Sequence, residues 1–413
     1  MRIYFSGIGG VGIGPLAEIA LDAGYSIVGS DISASAMTRQ LDARGISISD
    51  DQSGAFLQAE HEGESIDWYV YTSSLPSDHP ELLKARELGI KIAKRDELLA
   101  RIITEKNLKL IAVAGTHGKT TTTGMIVWLA HYFNIPISYS VGSTLTWGPS
   151  GRYTPGSEYF VYECDEFDRN FLGFHPFVSL ITSIEHDHPD TYPTEDNYFD
   201  AFKQFGEQSE HIITWKEHSQ LFSGEKSTLV DTISPMLTLR GEHNRANASL
   251  VLAALERFGL NAKYAADGLN KFPGTGRRFE KLAENLYTDY GHTPSEIKAT
   301  LQLAREVSDQ VVLVYQPHQN VRQHEIYEQY TDEIFSGAGK VYWVPTYQSR
   351  ENEELEILTP EQLTKSLDRS KIHIVDLDDT LWENIQRSLE DNKLVLCMGA
   401  GSIDGWVRGL LKS

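Results

Sequence analysis

Cysteine is nearly absent from this 413-residue chain. Its two cysteines, Cys164 and Cys397, lie far apart and form no CxxC pair. That excludes a disulfide framework and a cysteine-built zinc site, and it suits a reducing, cytoplasmic compartment. Basic charge is short as well: 37 Lys and Arg stand against 58 Asp and Glu, a formal net charge of −21. A general nucleic-acid binder neutralises phosphates with clustered cations, so the balance excludes one. A small phosphate ligand needs only local donors and is still allowed. No apolar run approaches the roughly 20 residues that cross a bilayer. The apolar start is broken by glycines and lacks a small-residue cleavage site, so it does not read as a signal peptide. The expectation is a soluble protein, monomer or homodimer, with no membrane and no nucleic acid as partner.

What is present is a repeated unit of short apolar strand, turn and amphipathic helix, the pattern of parallel α/β sheets. The stretch "RIYFSG" predicts a strand, 13–23 a helix and "YSIVGSD" a second strand. A new buried strand, "LIAVAG", starts just after residue 107. Strands are predicted again at "YFVYECD", "FVSLITSI", "ENLYTDYG", "QVVLVYQP", "KVYWVP" and "KLVLCMGAG". The length suggests two or three domains. We read three nucleotide-scale α/β domains: a Rossmann-like domain at 1–107, a central domain with a parallel sheet at 108–282, and a Rossmann-like domain at 283–413.

Two glycine loops carry most of the chemistry. Gly7, Gly9 and Gly12 form G-x-G-x-x-G between the first strand and its helix, and Asp31 ends the next strand. Such a loop lets backbone amides approach a diphosphate, and a carboxylate at that distance can read a ribose. Alone it fits an NAD-dependent oxidoreductase, or a tight turn with no ligand. The second loop lies in "AGTHGKTTTT" at 114–123. Val113 stands where the common phosphate loop has its first glycine, yet Gly115, Gly118, Lys119 and Thr120 supply amides, a cation and a hydroxyl for Mg²⁺.

Four carboxylates, Glu163, Asp165, Glu166 and Asp168, cluster in "ECDEFD", which suits a hard divalent cation or a solvated acidic loop. "EHDHPD" follows with His186 and His188. It lacks the spacing of a helical zinc motif. Further polar strings occur at "GEHNRANA", "GTGRRF", "DYGHTPSE" and "QPHQNVRQ". Singly, each of their His and Arg residues fits a structural or solvated role.

These strings, in this order and through nearly the whole chain, resemble the Mur ligase family, the ATP-dependent amide ligases of peptidoglycan precursor synthesis. The family's ATP loop is G-T-x-G-K-[ST], which accounts for the absent first glycine. Within the family the chain resembles the branch that joins L-alanine to UDP-N-acetylmuramate. The resemblance implies a P-loop-type ATPase domain at 108–282, ATP and Mg²⁺ as cofactors, and UDP-N-acetylmuramate, L-alanine and ATP as partners. It assigns Gly115, Thr116, His117, Gly118, Lys119, Thr120 and Thr121 to ATP, with His243, Asn244, Asn247, Arg278 and Asp289. Thr120, Glu163 and His188 match metal ligands. Gly9, Gly10, Val11, Gly12, Asp31, Thr72 and Ser73 would hold the UDP-sugar, replacing the NAD reading of that loop. His292, His318 and Arg322 match positions near the amino acid, and Lys119, His188, Arg278 and His292 carry the catalytic assignments.

Arg277 is nearly as good a match as Arg278. Thr288 and Thr293 depart from the family's Asp and His, "WVPTYQSRE" matches only loosely, and the chain is short for this branch. Lys203 stands near the spacing of a carbamylated lysine in related ligases, but an ordinary helical surface lysine is the expectation. The alternatives are a recycling ligase that attaches a preformed peptide to the same sugar, and a nucleotide-binding regulator without catalysis.

Overall fold

The computed structural model describes residues 1–72, 75–189, 191–258, 260–349 and 351–412. Three sheets organise them. Strands β1 (Arg2–Ser6), β2 (Ser26–Ser30), β3 (Ile48–Ser49), β4 (Trp68–Tyr71) and β5 (Lys91–Lys94) form the first. Its order is β3-β2-β1-β4-β5 and all its pairings are parallel. The chain leaves β1 in one direction for β2 and returns on its other side as β4. The first glycine loop therefore emerges at the switch point where α/β sheets bind ligands.

The second sheet contains β6 (Lys109–Ala114), β7 (Ser138–Ser140), β8 (Gly151–Arg152), β9 (Tyr159–Glu163), β10 (Val178–Ile181), β11 (Ile212–Trp215) and β12 (Ser227–Val230). Its order is β12-β11-β10-β6-β9-β7-β8, parallel except for the β7–β8 pair. Here β6 is central, and the Lys119 loop leaves its C-terminal end between β9 and β10. The third sheet contains β13 (Glu280–Ala283), β14 (Leu286–Asp289), β15 (Val311–Tyr315), β16 (Lys340–Trp343), β17 (Ile372–Ile374) and β18 (Leu394–Met398). Its order is β13-β14-β18-β15-β16-β17, and only β13–β14 is antiparallel.

Parallel strands covered on both faces need apolar residues in succession. β15 and β18 show this, with all five residues of each buried. Val311, Leu313, Leu394 and Leu396 pack on one face of the third sheet, and Val312, Val314, Val395 and Cys397 on the other.

The chain divides into two compact units. The first, Met1–Ile233 with Ala248–Leu269, holds the first two sheets. A single core joins them: Ile3, Phe5, Leu98 and Ile102 belong to the same buried cluster as Phe160, Tyr162, Phe171 and Phe205. The second unit, Ser234–Asn247 with Asn270–Ser413, holds the third sheet. The boundary expected after residue 282 falls inside β13, whose Glu280 and Lys281 pair with Thr288 and Tyr287. The third sheet therefore begins at Glu280. His243, Asn244 and Asn247 group with the second unit, not with the central sheet. No helix among the described residues is long and apolar enough to cross a membrane.

Candidate active site

The second glycine loop joins β6 to the helix Lys119–Tyr132. Gly115 has φ +131°, and a Cβ there would lie 2.3 Å from Thr182 Oγ1 and 2.8 Å from Ser183 O. No other residue type fits. Thr116 N–H donates to Ser183 O at 3.0 Å and His117 N–H to Ser183 Oγ at 2.9 Å, so the end of β10 sets the loop's shape. Gly118, at φ +83°, starts the helix without a side-chain cap, leaving first-turn amides for an anion.

Lys119 folds back over the loop. Its Nζ donates to Gly115 O at 2.6 Å and to the Glu166 carboxylate at 2.8 and 3.0 Å. Burial works against the ammonium, but Glu166, with Asp165 behind it, raises the Lys119 pKa above the ordinary range. Burial also pushes the Glu166 carboxyl up, and Lys119 pulls it back only in part. At 2.8 Å we take the pair as ionised, because each charge is the other's main compensation. Two tyrosines brace Glu166: Tyr192 OH donates to its carbonyl at 2.6 Å, and Tyr198 OH lies 3.4 Å from Oε1 and 2.8 Å from Thr116 Oγ1.

The expected metal ligands fall into two groups. Thr120 Oγ1 donates to Glu163 Oε1 at 2.7 Å, and Glu163 Oε2 accepts from Gly142 N–H at 3.0 Å. His188 stands instead with Asp165 and Glu166, one ligand atom from each lying within 4.8 Å of the others. Carboxylates with a hydroxyl fit a hard cation such as Mg²⁺ better than a soft one. Lys203 is exposed on the helix Glu195–Gln208, as expected. Cys164 and Cys397 are buried, and burial pushes the Cys397 thiol up to about 12, which rules out a thiolate nucleophile there.

At the first glycine loop, Gly9 N–H donates to Asp31 Oδ2 at 2.8 Å. A Cβ on Gly9 would come within 2.7 Å of Ser35 Oγ and Thr38 Cγ2. Thr72 lies over Gly7, while Ser73 falls outside the described residues. Gly10 and Val11 are exposed at the turn. Arg95, not singled out in the sequence, brings Nη1 to 3.3 Å from where a Cβ on Gly12 would sit.

In the second unit, Asp289 is buried and its carboxylate accepts from Phe279 N–H at 2.8 Å and Gly291 N–H at 2.7 Å. Arg277 and Arg278 lie over the Tyr290 ring, 4.6 and 5.1 Å from its centroid. Asn244 Nδ2 donates to Arg240 O at 3.0 Å, and Asn247 is buried. The ring of His292 meets those of Tyr290 and His318, each at 5.7 Å, and His318 stacks on Tyr347 at 5.8 Å. Burial, then His292 and Arg322, push His318 down to about 4. Burial also lowers His292, against the pull of Glu296. The structure thus brings together His292, His318 and the Arg322 charge.

The fold is α/β, with two glycine-rich strand-to-helix turns of the kind that receive phosphate groups. Family comparison is more specific. The Mur ligase family catalytic domain matches residues 2–107, the Mur ligase middle domain 113–234, and the Mur ligase glutamate ligase domain 277–401. The chain belongs to the Mur ligase family, and the three-domain α/β architecture expected of it is present. The oxidoreductase reading of the first loop falls with that membership. The chain is 32% identical to the UDP-N-acetylmuramate–L-alanine ligase of Carboxydothermus hydrogenoformans, over 98% of this chain and 95% of that one. The ligase of the same name from Lachnospira eligens is 31% identical, over 100% and 98%. Among solved structures, the UDP-N-acetylmuramate-alanine ligase of Thermotoga maritima superposes with a TM-score of 0.77 at 25% identity, covering 100% of this chain and 98% of that one.

Proposed function

We propose that the chain is an ATP-dependent ligase joining L-alanine to the lactyl carboxylate of UDP-N-acetylmuramate, in peptidoglycan precursor synthesis. The observation that carries this reading is the Lys119 loop beside Thr120–Glu163 and Asp165–Glu166–His188, in a chain similar throughout to L-alanine ligases.

A carboxylate has no leaving group. Attack of the carboxylate on the γ-phosphate of ATP would give an acyl phosphate and ADP; the alanine amine would then attack the acyl carbon, and phosphate would leave as the amide forms. The chain's part is positioning and charge stabilisation. Lys119 would turn from Glu166 to the terminal phosphates, joined by the first-turn amides of its helix. Thr120 and Glu163, with His188, would hold Mg²⁺, and Asp165 and Glu166 adjoin them. Bound there, the cation would neutralise phosphate charge. Arg278 would meet the transferring phosphoryl group. Arg322 would pair the alanine carboxylate, and His292, its imidazole kept neutral by burial, could accept the amine proton. We assign the uridine nucleotide to 1–107, where Arg95 adds a cation at Gly12. ATP is assigned to the central region, and the amino acid to the domain that starts at Glu280.

Phosphate release tests this, with ATP, Mg²⁺ and UDP-N-acetylmuramate and with L-alanine, L-serine, glycine or the recycling tripeptide in separate reactions. Release that requires both the UDP-sugar and L-alanine is the expected result. Release with the tripeptide alone would move the chain to the recycling branch, and release with none would overturn the reading.

A further inference from the structure

Arg278 sits between two residues in the left-handed region, Arg277 at φ 55° and Phe279 at φ 48°. Neither is glycine, so tertiary contacts must hold both. Carboxylates catch the two amides. Arg277 N–H donates to Glu280 Oε2 and Phe279 N–H to Asp289 Oδ2, each at 2.8 Å. The side chain of Arg277 is tied down as well: Nη2 donates to Gly399 O at 2.8 Å, and Nε lies 3.7 Å from Asp404 Oδ2.

Asp404 is itself fixed. It accepts from Arg408 Nε at 3.0 and 3.1 Å and from Thr288 Oγ1 at 3.0 Å. Arg408 Nη2 then donates to Glu280 Oε2 at 2.5 Å. The circuit Arg277–Asp404–Arg408–Glu280 closes on the amide next to Arg278. In contrast, the Arg278 guanidinium makes no hydrogen bond among the described residues; it lies over the Tyr290 ring and meets the buried Asp289 carboxylate only through space. One arginine is anchored, and its neighbour is left for a ligand.

We infer that this four-residue ring is a presenting frame for Arg278, and that Asp404 and Arg408, on the C-terminal helix Ile403–Leu410, are positioning residues for the anion that Arg278 meets. Donors fixed before the ligand arrives stabilise charge without reorganisation. A surface arginine held only by its own loop would have to be ordered at each binding event. The inference rests on the assignment of Arg278 to the terminal phosphate of ATP.

The test is a double-mutant cycle on nucleotide binding, with the affinities of the full chain for ATP and ADP measured in Mg²⁺ by calorimetry. Arg278→Ala should reduce the preference for ATP over ADP by about tenfold, as expected for one charge-assisted contact. Asp404→Asn should reduce it by about threefold in the parent chain and not at all on top of Arg278→Ala. A merely structural role would lower both affinities alike, or add to the Arg278→Ala loss, and either would overturn the frame. Full wild-type preference in Asp404→Asn would overturn it too. Thr288→Val, which removes one hydroxyl donor from the Asp404 carboxylate and leaves both arginines in place, provides a milder second variant should Asp404→Asn unfold. Because the readout is nucleotide preference, a failed ligase assay would leave this test standing. Loss of preference in neither Arg278→Ala nor Asp404→Asn would instead strike the phosphate assignment itself.

Discussion

Lys119 Nζ and the Glu166 carboxylate lie 2.8 Å apart in a pocket where Glu166 is fully buried. The residue assigned to the phosphates is thus neutralised by a side chain of its own unit. Removing one partner of such a pair strands a buried charge, at a cost of roughly 3–5 kcal/mol. Lys119→Ala should therefore abolish phosphate release and also lower the urea midpoint, while uridine-nucleotide binding at the first loop survives. Adding Glu166→Gln should recover most of the lost stability and none of the activity. Stability unchanged in Lys119→Ala would show that the pair is not formed in solution.

Gly115 is the tightest point of the loop. Gly115→Ala would press its methyl on Thr182 and Ser183 at a φ that L residues avoid. The expected cost is about 1–3 kcal/mol from the backbone alone, with ATP binding lost in calorimetry. Wild-type ATP affinity in this variant would mean that the loop opens more easily than its hydrogen bonds to Ser183 imply.

Part of this was legible in the sequence. Long apolar runs marked β6, β10, β15 and β18, and both glycine loops stand where their spacing placed them. Two-residue strands such as β3 and β8 carry no pattern of their own, since their neighbours pair them. The cluster of four carboxylates was visible, but not which one faces Lys119. That depends on left-handed backbone at Asp168, Arg169 and His188, and on tyrosines 26 and 32 positions away from Glu166. Arg95 reads as an ordinary helix start, and only the fold brings it to Gly12.

Acid should weaken the second unit. Burial, together with Arg278 and Arg245 and against Glu306, pushes His243 down to about 4. The folded chain keeps this imidazole neutral, so the unfolded chain takes up the proton first as pH drops. Stability from this group is complete above about pH 6.5 and is lost as pH falls towards 4, by about 3–4 kcal/mol at most. Urea denaturation from pH 7.5 to 5 should show the loss, and His243→Gln should flatten it. An unchanged slope in the variant would show that other groups carry the acid dependence.

Arg322 is expected to act on alanine alone. Arg322→Gln should raise the KM for L-alanine by at least about tenfold, the worth of a charge-assisted contact, with the KM for ATP unchanged. An equal rise in both would mean that the substitution disturbs the whole unit.

The core shared by the first two sheets bears on how this chain can be taken apart. Residue 107 divides two topologies, yet Ile3, Phe5, Leu98 and Ile102 share one buried cluster with Phe160, Tyr162, Phe171 and Phe205, which come after it. A fragment cut there would carry a bare hydrophobic face and should aggregate. The two sheets should melt as one piece, and a chimaera that exchanges the first sheet should need the central sheet that shares its core.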